Sequence, residues 1–324
     1  MLLQIEHSLH FSYSDYIRES HMDIRVEPRT QSGQVLLDFS LVVGPSTRVT
    51  RHEDWLGNTV HWFSITDYHD RIEVLVRSLV ETNPAMILPG LVNDPISQDP
   101  PGMEQWDFMQ FVGPVIESEA MRSLHADLRI ADLGSIGEVV QCIGEGLRSK
   151  FEYRPNVTDA HSTTDALLLG GGGVCQDFAH AALGLLRLSG IPARYVSGYL
   201  HVERDDETPS QSHAWIEYWS PSNGWQPYDP THGLVPNEAY VTVGYGRSYD
   251  DVPPNRGICQ GGARETLKAE VITSPGKRPD RRRIPDELFM DLPVYTEAPD
   301  RRSRTDLPGS DAASQQQQQQ QQQQ

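Results

Sequence analysis

Cys175 is the residue of this chain whose position most strongly suggests chemistry. It follows the glycine run Gly170–Gly173 and Val174, and it begins an apolar stretch with helical spacing. A thiol attacks an acyl carbon as the thiolate, which both a helix N-terminus and a neighbouring imidazolium favour. Because the glycines allow a sharp turn into the helix, we expect Cys175 to be a nucleophile whose own N–H can bind an oxyanion.

A base and an orienting acid follow Cys175 in the chain. His213 begins the strand-like run "HAWIEYWS", and Asp229 ends the strand-like run "GWQPYD". The short loop at 220–224 predicts a hairpin, in which His213 and Asp229 lie nearly opposite each other. Taken alone, the three residues fit a buried cysteine, a sheet-edge histidine and a turn aspartate. Their occurrence together favours a Cys-His-Asp triad.

Four neighbouring residues are candidate substrate contacts: Gln176, Asp177, Trp215 and His232. Each also has a structural explanation. Asp177 places a favourable charge in the first helical turn, and Trp215 suits core packing. His232 follows Asp229 by three residues and is either a neighbour of the triad or a residue of the cleft wall.

No cofactor and no metal are expected. Cys175, His180, His213 and Cys259 lack the close cysteine pairing of structural zinc sites, so a zinc protein is a disfavoured alternative. The sequence contains no phosphate loop, dinucleotide fingerprint or EF-hand loop. Three widely spaced cysteines argue against a disulfide framework and fit a reducing compartment.

The patterns along the chain predict an α+β fold. Alternating apolar residues and a turn at Gly57-Asn58 predict an all-β domain over residues 1–95. Residues 96–114 read as a linker. Helical spacing and then three strand-like runs predict a catalytic domain with an antiparallel sheet over 115–273. The charged, proline-rich segment 274–324 ends in a glutamine run and is predicted to be a disordered tail.

Length and charge limit the classes of partner. The chain has 324 residues, 45 acidic and 27 basic, with a formal charge of −18. That charge disfavours nucleic acids and anionic membranes as partners. The N-terminal residues lack the features of a signal peptide, and no segment has the length of a membrane span, so a cytoplasmic location is expected. The oligomeric state is left open.

Three blocks of sequence resemble the bacterial transglutaminase-like superfamily. They are "GGGVCQDFAH", "SHAWIEYW" with "GWQPYDPTHG", and "DDVPPNRG". The segments "RVEPRT" and "DWLGNTVHWF" are similar to the β-rich domain that precedes the catalytic core in many bacterial members. The resemblance extends to about residue 273. It implies a papain-like core in which Cys175 is the nucleophile, His213 the base and Asp229 the orienting acid.

The resemblance also implies a range of chemistries. Members of the superfamily hydrolyse peptides, transfer acyl groups to amines or deglycosylate peptides, and some have lost the triad and only bind. Because all three triad positions are intact here, we expect a cysteine peptidase or amidase that acts on a peptide or protein substrate. The alternatives are a transglutaminase-type amine acyltransferase and a non-catalytic binding module.

Overall fold

The computed structural model describes residues 1–83, 90–97, 101–203, 211–278, 290 and 292–298. An N-terminal all-β part is followed by helices packed on an antiparallel sheet, which confirms the predicted α+β class. The strands are β1 Leu2–Ile17, β2 Glu19–Ile24, β3 Gln34–Gly44, β4 Val49–Glu53, β5 Thr59–Ile65, β6 His69–Thr82, β7 Glu152–Tyr153, β8 Gly172–Gly173, β9 Ala193–Leu200, β10 Gln211–Ser220, β11 Gly224–Tyr228, β12 Tyr240–Gly246, β13 Asn255–Gln260 and β14 Glu265–Pro275. The helices are α1 Met103–Trp106, α2 Glu119–Asp127, α3 Ile136–Lys150, α4 Thr164–Gly170 and α5 Cys175–Leu188.

Two four-stranded antiparallel sheets form the N-terminal part, in the orders β14-β1-β6-β3 and β13-β2-β5-β4. Apolar residues at alternate positions of their strands fill the space between them, including Leu9, Phe11 and Ile24. The predicted hairpin turn joins β4 to β5. Gly57 has a φ of +72° there, and its N–H donates to the Asp54 carbonyl at 2.9 Å.

The second part packs helices on the sheet β11-β10-β9-β12. Helix α5 is buried along nearly its whole length and contacts α2, α3 and α4 as well as β9 and β10. Ser135 and Glu138 form a capping box at the start of α3, and Gly190, with a φ of +76°, follows the end of α5. The helices predicted from apolar spacing are therefore present.

The last two strands complete the N-terminal sheets. β14 pairs with β1 from Leu3↔Pro275 to Tyr13↔Glu265, and β13 pairs with β2. A further apolar cluster joins β1, β6 and β14 to β9 and β12. The sequence predicted that residues up to 273 belong to the catalytic part. Strands β13 and β14 pair with strands more than two hundred residues away in the chain, and such pairing leaves no local signal.

Two other predicted segments are described only in part. The described residues of the range 96–114, read as a linker, include α1 and a 3₁₀ turn at Asp107–Met109 in which Phe108 is buried. Most of the tail predicted for 274–324, including the whole glutamine run, lies outside the described residues. No helix in the described part of the chain is long and apolar enough to cross a membrane.

Candidate active site

The glycine run fixes the position of Cys175 at the first residue of α5. Asp177 caps the helix, because its Oδ2 accepts hydrogen bonds from the Val174 N–H at 2.7 Å and the Thr158 hydroxyl at 2.6 Å. A Cβ at Gly173 would lie 2.5 Å from that same Oδ2, so only glycine allows this approach. Cys175 itself is 2% exposed.

His213 and Asp229 meet where β11 ends. The pairing Ile216↔Tyr228 is the last between β10 and β11 on this side, so Asp229 follows directly after the paired strand. His213 Nε2 lies 2.7 Å from Asp229 Oδ2, and both side chains are buried. Cys175 and His213 line the same cavity, and the thiol is close enough to help raise the pKa of His213. Because Nε2 faces Asp229, Nδ1 is the ring atom left for the thiol.

The Asp229 carboxylate accepts five hydrogen bonds. Oδ2 accepts from His213 Nε2, His232 Nδ1 and the Tyr240 hydroxyl, each at 2.7 Å. Oδ1 accepts from the backbone N–H groups of Thr231 at 2.8 Å and His232 at 3.2 Å. Burial alone would raise the pKa of Asp229, but the charge and hydrogen bonds of His213, with those of His232, hold that pKa well below its usual range.

His213 is held as an imidazolium by the same contacts. Burial lowers the pKa of this histidine, but the charge and hydrogen bond of Asp229, followed by those of Cys175, outweigh burial and raise the pKa to about 10. Trp215 stacks on the imidazole at 6.1 Å between ring centroids and 27° between planes. The ring is therefore fixed by a carboxylate at one nitrogen and by an indole on its face.

Of the four predicted substrate contacts, the structure brings one to the cavity beside Cys175. Gln176 lines this cavity and donates from Nε2 to the Ala160 carbonyl at 3.1 Å. Asp177 is engaged in capping α5, Trp215 packs behind His213, and His232 contacts Asp229 with its side chain 46% exposed. Contact with substrate stays a prediction for all four.

The cavity beside Cys175 has a volume of about 60 Å³, and other elements contribute to its wall. Tyr195 of β9 and Tyr249 line the cavity, and neither was predicted from the sequence. Asn255 also lines it and belongs to the block "DDVPPNRG". The N-terminal part contributes His7 from β1. That residue carried no local signal, because its place in the cavity depends on how two sheets pack. From β14 come Leu267, Ala269 and Val271.

The side chains proposed for a zinc site do not come together in the described residues. Instead, one group there has ligand-type atoms within 4.8 Å of one another: His213, Asp229 and His232. Those atoms are engaged in the hydrogen bonds given above. His180 Nε2 accepts from the Tyr249 N–H at 3.1 Å, and Cys259 is exposed on β13.

Comparisons with known proteins agree with this architecture. Residues 127–230 match the transglutaminase-like superfamily, and residues 3–81 match the bacterial transglutaminase-like N-terminal region. An uncharacterized protein of Mycobacterium leprae is 33% identical over 264 residues, which are 80% of this chain and 93% of that protein. A protein-glutamine gamma-glutamyltransferase of Pseudomonas aeruginosa is 31% identical over 140 residues, which are 41% of this chain and 21% of that protein.

A solved structure shares the fold over almost the whole chain. It is that of a candidate cysteine protease from Cytophaga hutchinsonii, with a TM-score of 0.66 and 19% sequence identity, covering 91% of this chain and 93% of that one. This likeness concerns the fold. The two family matches and the mycobacterial relative lead to one conclusion: the chain belongs to the transglutaminase-like superfamily and carries the bacterial N-terminal region before its core.

Proposed function

We propose that this protein is a thiol-dependent amide hydrolase, a cysteine peptidase or amidase, with Cys175, His213 and Asp229 as its triad. One observation carries the proposal. A buried His213, paired at 2.7 Å with Asp229, lines one cavity with the thiol at the N-terminus of α5. Acyl transfer through a thioester requires a nucleophile, a base beside it and an acid that orients the base.

The reaction proceeds in two halves. Cys175 Sγ, as thiolate, attacks the amide carbon, and the backbone N–H of Cys175 stabilises the oxyanion. His213 Nδ1 gives its proton to the leaving nitrogen, the C–N bond breaks, and a thioester remains. His213 Nδ1 then takes a proton from water as the water oxygen attacks the thioester carbon. The C–S bond breaks, the acid leaves, and the thiolate–imidazolium pair is restored.

Asp229 acts through His213 in both halves. Its hydrogen bond to Nε2 keeps Nδ1 directed at Cys175, and its charge stabilises the imidazolium. Because five hydrogen bonds hold the carboxylate, neither its orientation nor its ionisation changes during the proton transfers.

Acyl transfer to an amine is the second candidate. The stretch of similarity to the Pseudomonas aeruginosa glutamyltransferase and the small volume of the cavity favour it, since a site that holds little water gives an amine time to attack the thioester. The first half of the reaction is the same. In the second half, His213 removes the proton from the amine instead of from water.

Alkylation by iodoacetamide at mildly acidic pH tests the triad. We expect Cys175 to be labelled faster than the other two cysteines, although Cys259 is exposed, and the preference to be lost in His213→Ala. Burial and a neighbouring carboxylate raise the pKa of Cys142 and of Cys259, so both serve as internal controls in mass spectrometry of the labelled peptides. Slow labelling of Cys175 that does not depend on His213 would contradict the proposal.

A peptide digest in ¹⁸O-labelled water, with and without an added primary amine, separates the two candidates. Hydrolysis places ¹⁸O in new carboxyl groups in either condition, whereas transfer replaces that label with the amine. Cys175→Ser is the control for contaminating activity in both reactions.

A further inference from the structure

His7 occupies an unusual position on β1. It belongs to the inward series Leu3, Ile5, His7, Leu9 and Phe11, whose other members are apolar, and it is 3% exposed. A buried polar group without partners is destabilising, so a histidine at this position calls for a partner at each ring nitrogen.

The hydrogen bonds of Tyr199 fix the form of the imidazole. The Tyr199 hydroxyl donates to the Val26 carbonyl at 3.3 Å, and it lies 2.9 Å from His7 Nδ1. A hydroxyl has a single proton and a carbonyl oxygen can only accept, so both contacts are satisfied together when Nδ1 donates to the Tyr199 oxygen. Burial lowers the pKa of His7 to about 4, which keeps the ring neutral around neutral pH. Nε2 therefore carries a lone pair.

Because Nδ1 is engaged with Tyr199, Nε2 is the ring nitrogen left for the cavity. His7 lines the cavity with Cys175 and His213, and Nε2 has no hydrogen-bond partner among the described residues. It is also not sealed in the core, in contrast to His180 Nδ1, which is buried and unpaired. The N-terminal sheet thus presents a hydrogen-bond acceptor to the space beside the thiol.

The charges around the cavity indicate which donor would match this acceptor. Asp159 belongs to the lining, and its Oδ1 accepts hydrogen bonds from the His161 N–H and the Ser162 hydroxyl. The proposed Cys175 thiolate offsets the charge of the His213 imidazolium, and the described lining includes no lysine or arginine, so Asp159 leaves a net negative charge. A primary ammonium group combines N–H donors with a positive charge, so it complements both His7 Nε2 and Asp159.

We propose that His7 is a specificity-determining residue that accepts a hydrogen bond from an ammonium group of the substrate. The inference rests on the proposed function, since it concerns the cavity beside the proposed nucleophile. It gives the N-terminal β-sheets a part in substrate selection. The substrate class is an amide that carries a free amino group near the scissile bond.

Methanethiosulfonates of different charge test this inference without a known substrate. The Cys175 thiolate attacks the sulfenyl sulfur and releases methanesulfinate, which leaves a mixed disulfide. The rates at Cys175 are compared for the cationic 2-aminoethyl, neutral methyl and anionic 2-sulfonatoethyl reagents, each divided by its rate with free cysteine. We expect a preference for the cationic reagent that falls about tenfold in His7→Phe, as for loss of a hydrogen bond to a charged group.

His10→Phe is the matched control, because His10 is on the same strand with its side chain 42% exposed; it should keep the preference. The inference would be overturned if His7→Phe kept the preference for the cationic reagent. It would also be overturned if the wild-type protein reacted with the neutral reagent but showed no such preference. Neither result would contradict the proposed triad. A Cys175 that reacts with none of the reagents would overturn the proposed function and this inference with it.

The tautomer of His7 can be measured in the wild-type protein, so this test does not require that a variant fold. Long-range ¹H–¹⁵N correlation spectra of the wild-type protein report which ring nitrogen of His7 is protonated. We expect protonated Nδ1 and unprotonated Nε2. A proton on Nε2 would make His7 a donor toward the cavity and would overturn the inference.

Discussion

At the scale of single residues, most of the site converges on the Asp229 carboxylate. Three side chains and two backbone groups donate to it, and it is fully buried. Sequence reasoning identified the pairing with His213 from the hairpin. It did not identify the Tyr240 hydroxyl, because the approach of β12 to Asp229 depends on how the strands of the sheet β11-β10-β9-β12 are arranged.

Asp229→Asn should reduce kcat/KM by about 10³–10⁴-fold, since an amide cannot stabilise the imidazolium or hold its tautomer. The pH profile should also change. The raised pKa of His213 means that its proton is present at neutral pH and lost as pH rises through about 10. Without the Asp229 charge, this alkaline limb of kcat/KM should move to lower pH. An alkaline limb that stays in place would show that Asp229 does not control the charge of His213.

At the scale of elements, the turn into α5 determines where the thiol lies. Residues Gly170–Gly173 were predicted to permit a sharp turn, and their steric surroundings differ from one glycine to the next. Gly171 has a φ of +75°, Gly173 touches Asp177, and a Cβ at Gly170 would meet nothing within 4 Å. Spacing alone could not show which glycine is required, because that depends on the buried partner that each one meets.

Gly173→Ala should therefore displace Asp177 and the first turn of α5. Overpacking of this kind costs about 1–3 kcal/mol in the free energy of unfolding, and we expect the alkylation rate of Cys175 to fall as well. Gly170→Ala is the matched control and should change neither quantity. Denaturant unfolding and mass spectrometry of the alkylated peptides provide the two readouts. Equal behaviour of both variants would mean that the Asp177 cap does not position Cys175.

Local sequence patterns predicted several other helices and hairpins correctly. The helices α3 and α5, the β4–β5 hairpin and the β10–β11 hairpin were predictable, since each depends on residues close together in the chain. Strands β13 and β14 have alternating patterns too, but the identity of their partners is set by packing between distant segments. His7 was missed for the same reason.

At the scale of the whole molecule, β14 joins the two parts of the chain. It pairs with β1, and its Leu267, Ala269 and Val271 line the cavity beside Cys175. The N-terminal sheet and the proposed site therefore share one strand. The family resemblance predicted both parts from their motifs. Those motifs carry no information about β14, which follows the catalytic part in the sequence but pairs with the N-terminal sheet.

A chain that ends at residue 261 should lose much of its stability. Removing β14 leaves the edge of β1 unpaired and deletes four buried side chains, of which Leu267 and Val271 are each worth about 1.5–3 kcal/mol when fully buried. Native domains have only about 5–15 kcal/mol in total. A chain that ends at residue 298 keeps every described residue and is the control. Thermal unfolding of both should show a much lower Tm, or no cooperative transition, for the shorter chain.

The pairing of β1 with β14 also bears on how the protein is made. The ribosome synthesises Leu3 almost first and its partner Pro275 much later. At roughly 5–20 residues per second, about 14 to 54 seconds separate them. During that interval β1 can pair with β6, but the edge of β1 that pairs with β14 stays open and Cys175 lacks one wall of its cavity. A nascent or prematurely terminated chain therefore has an incomplete candidate site, which β14, the last of the described strands, completes.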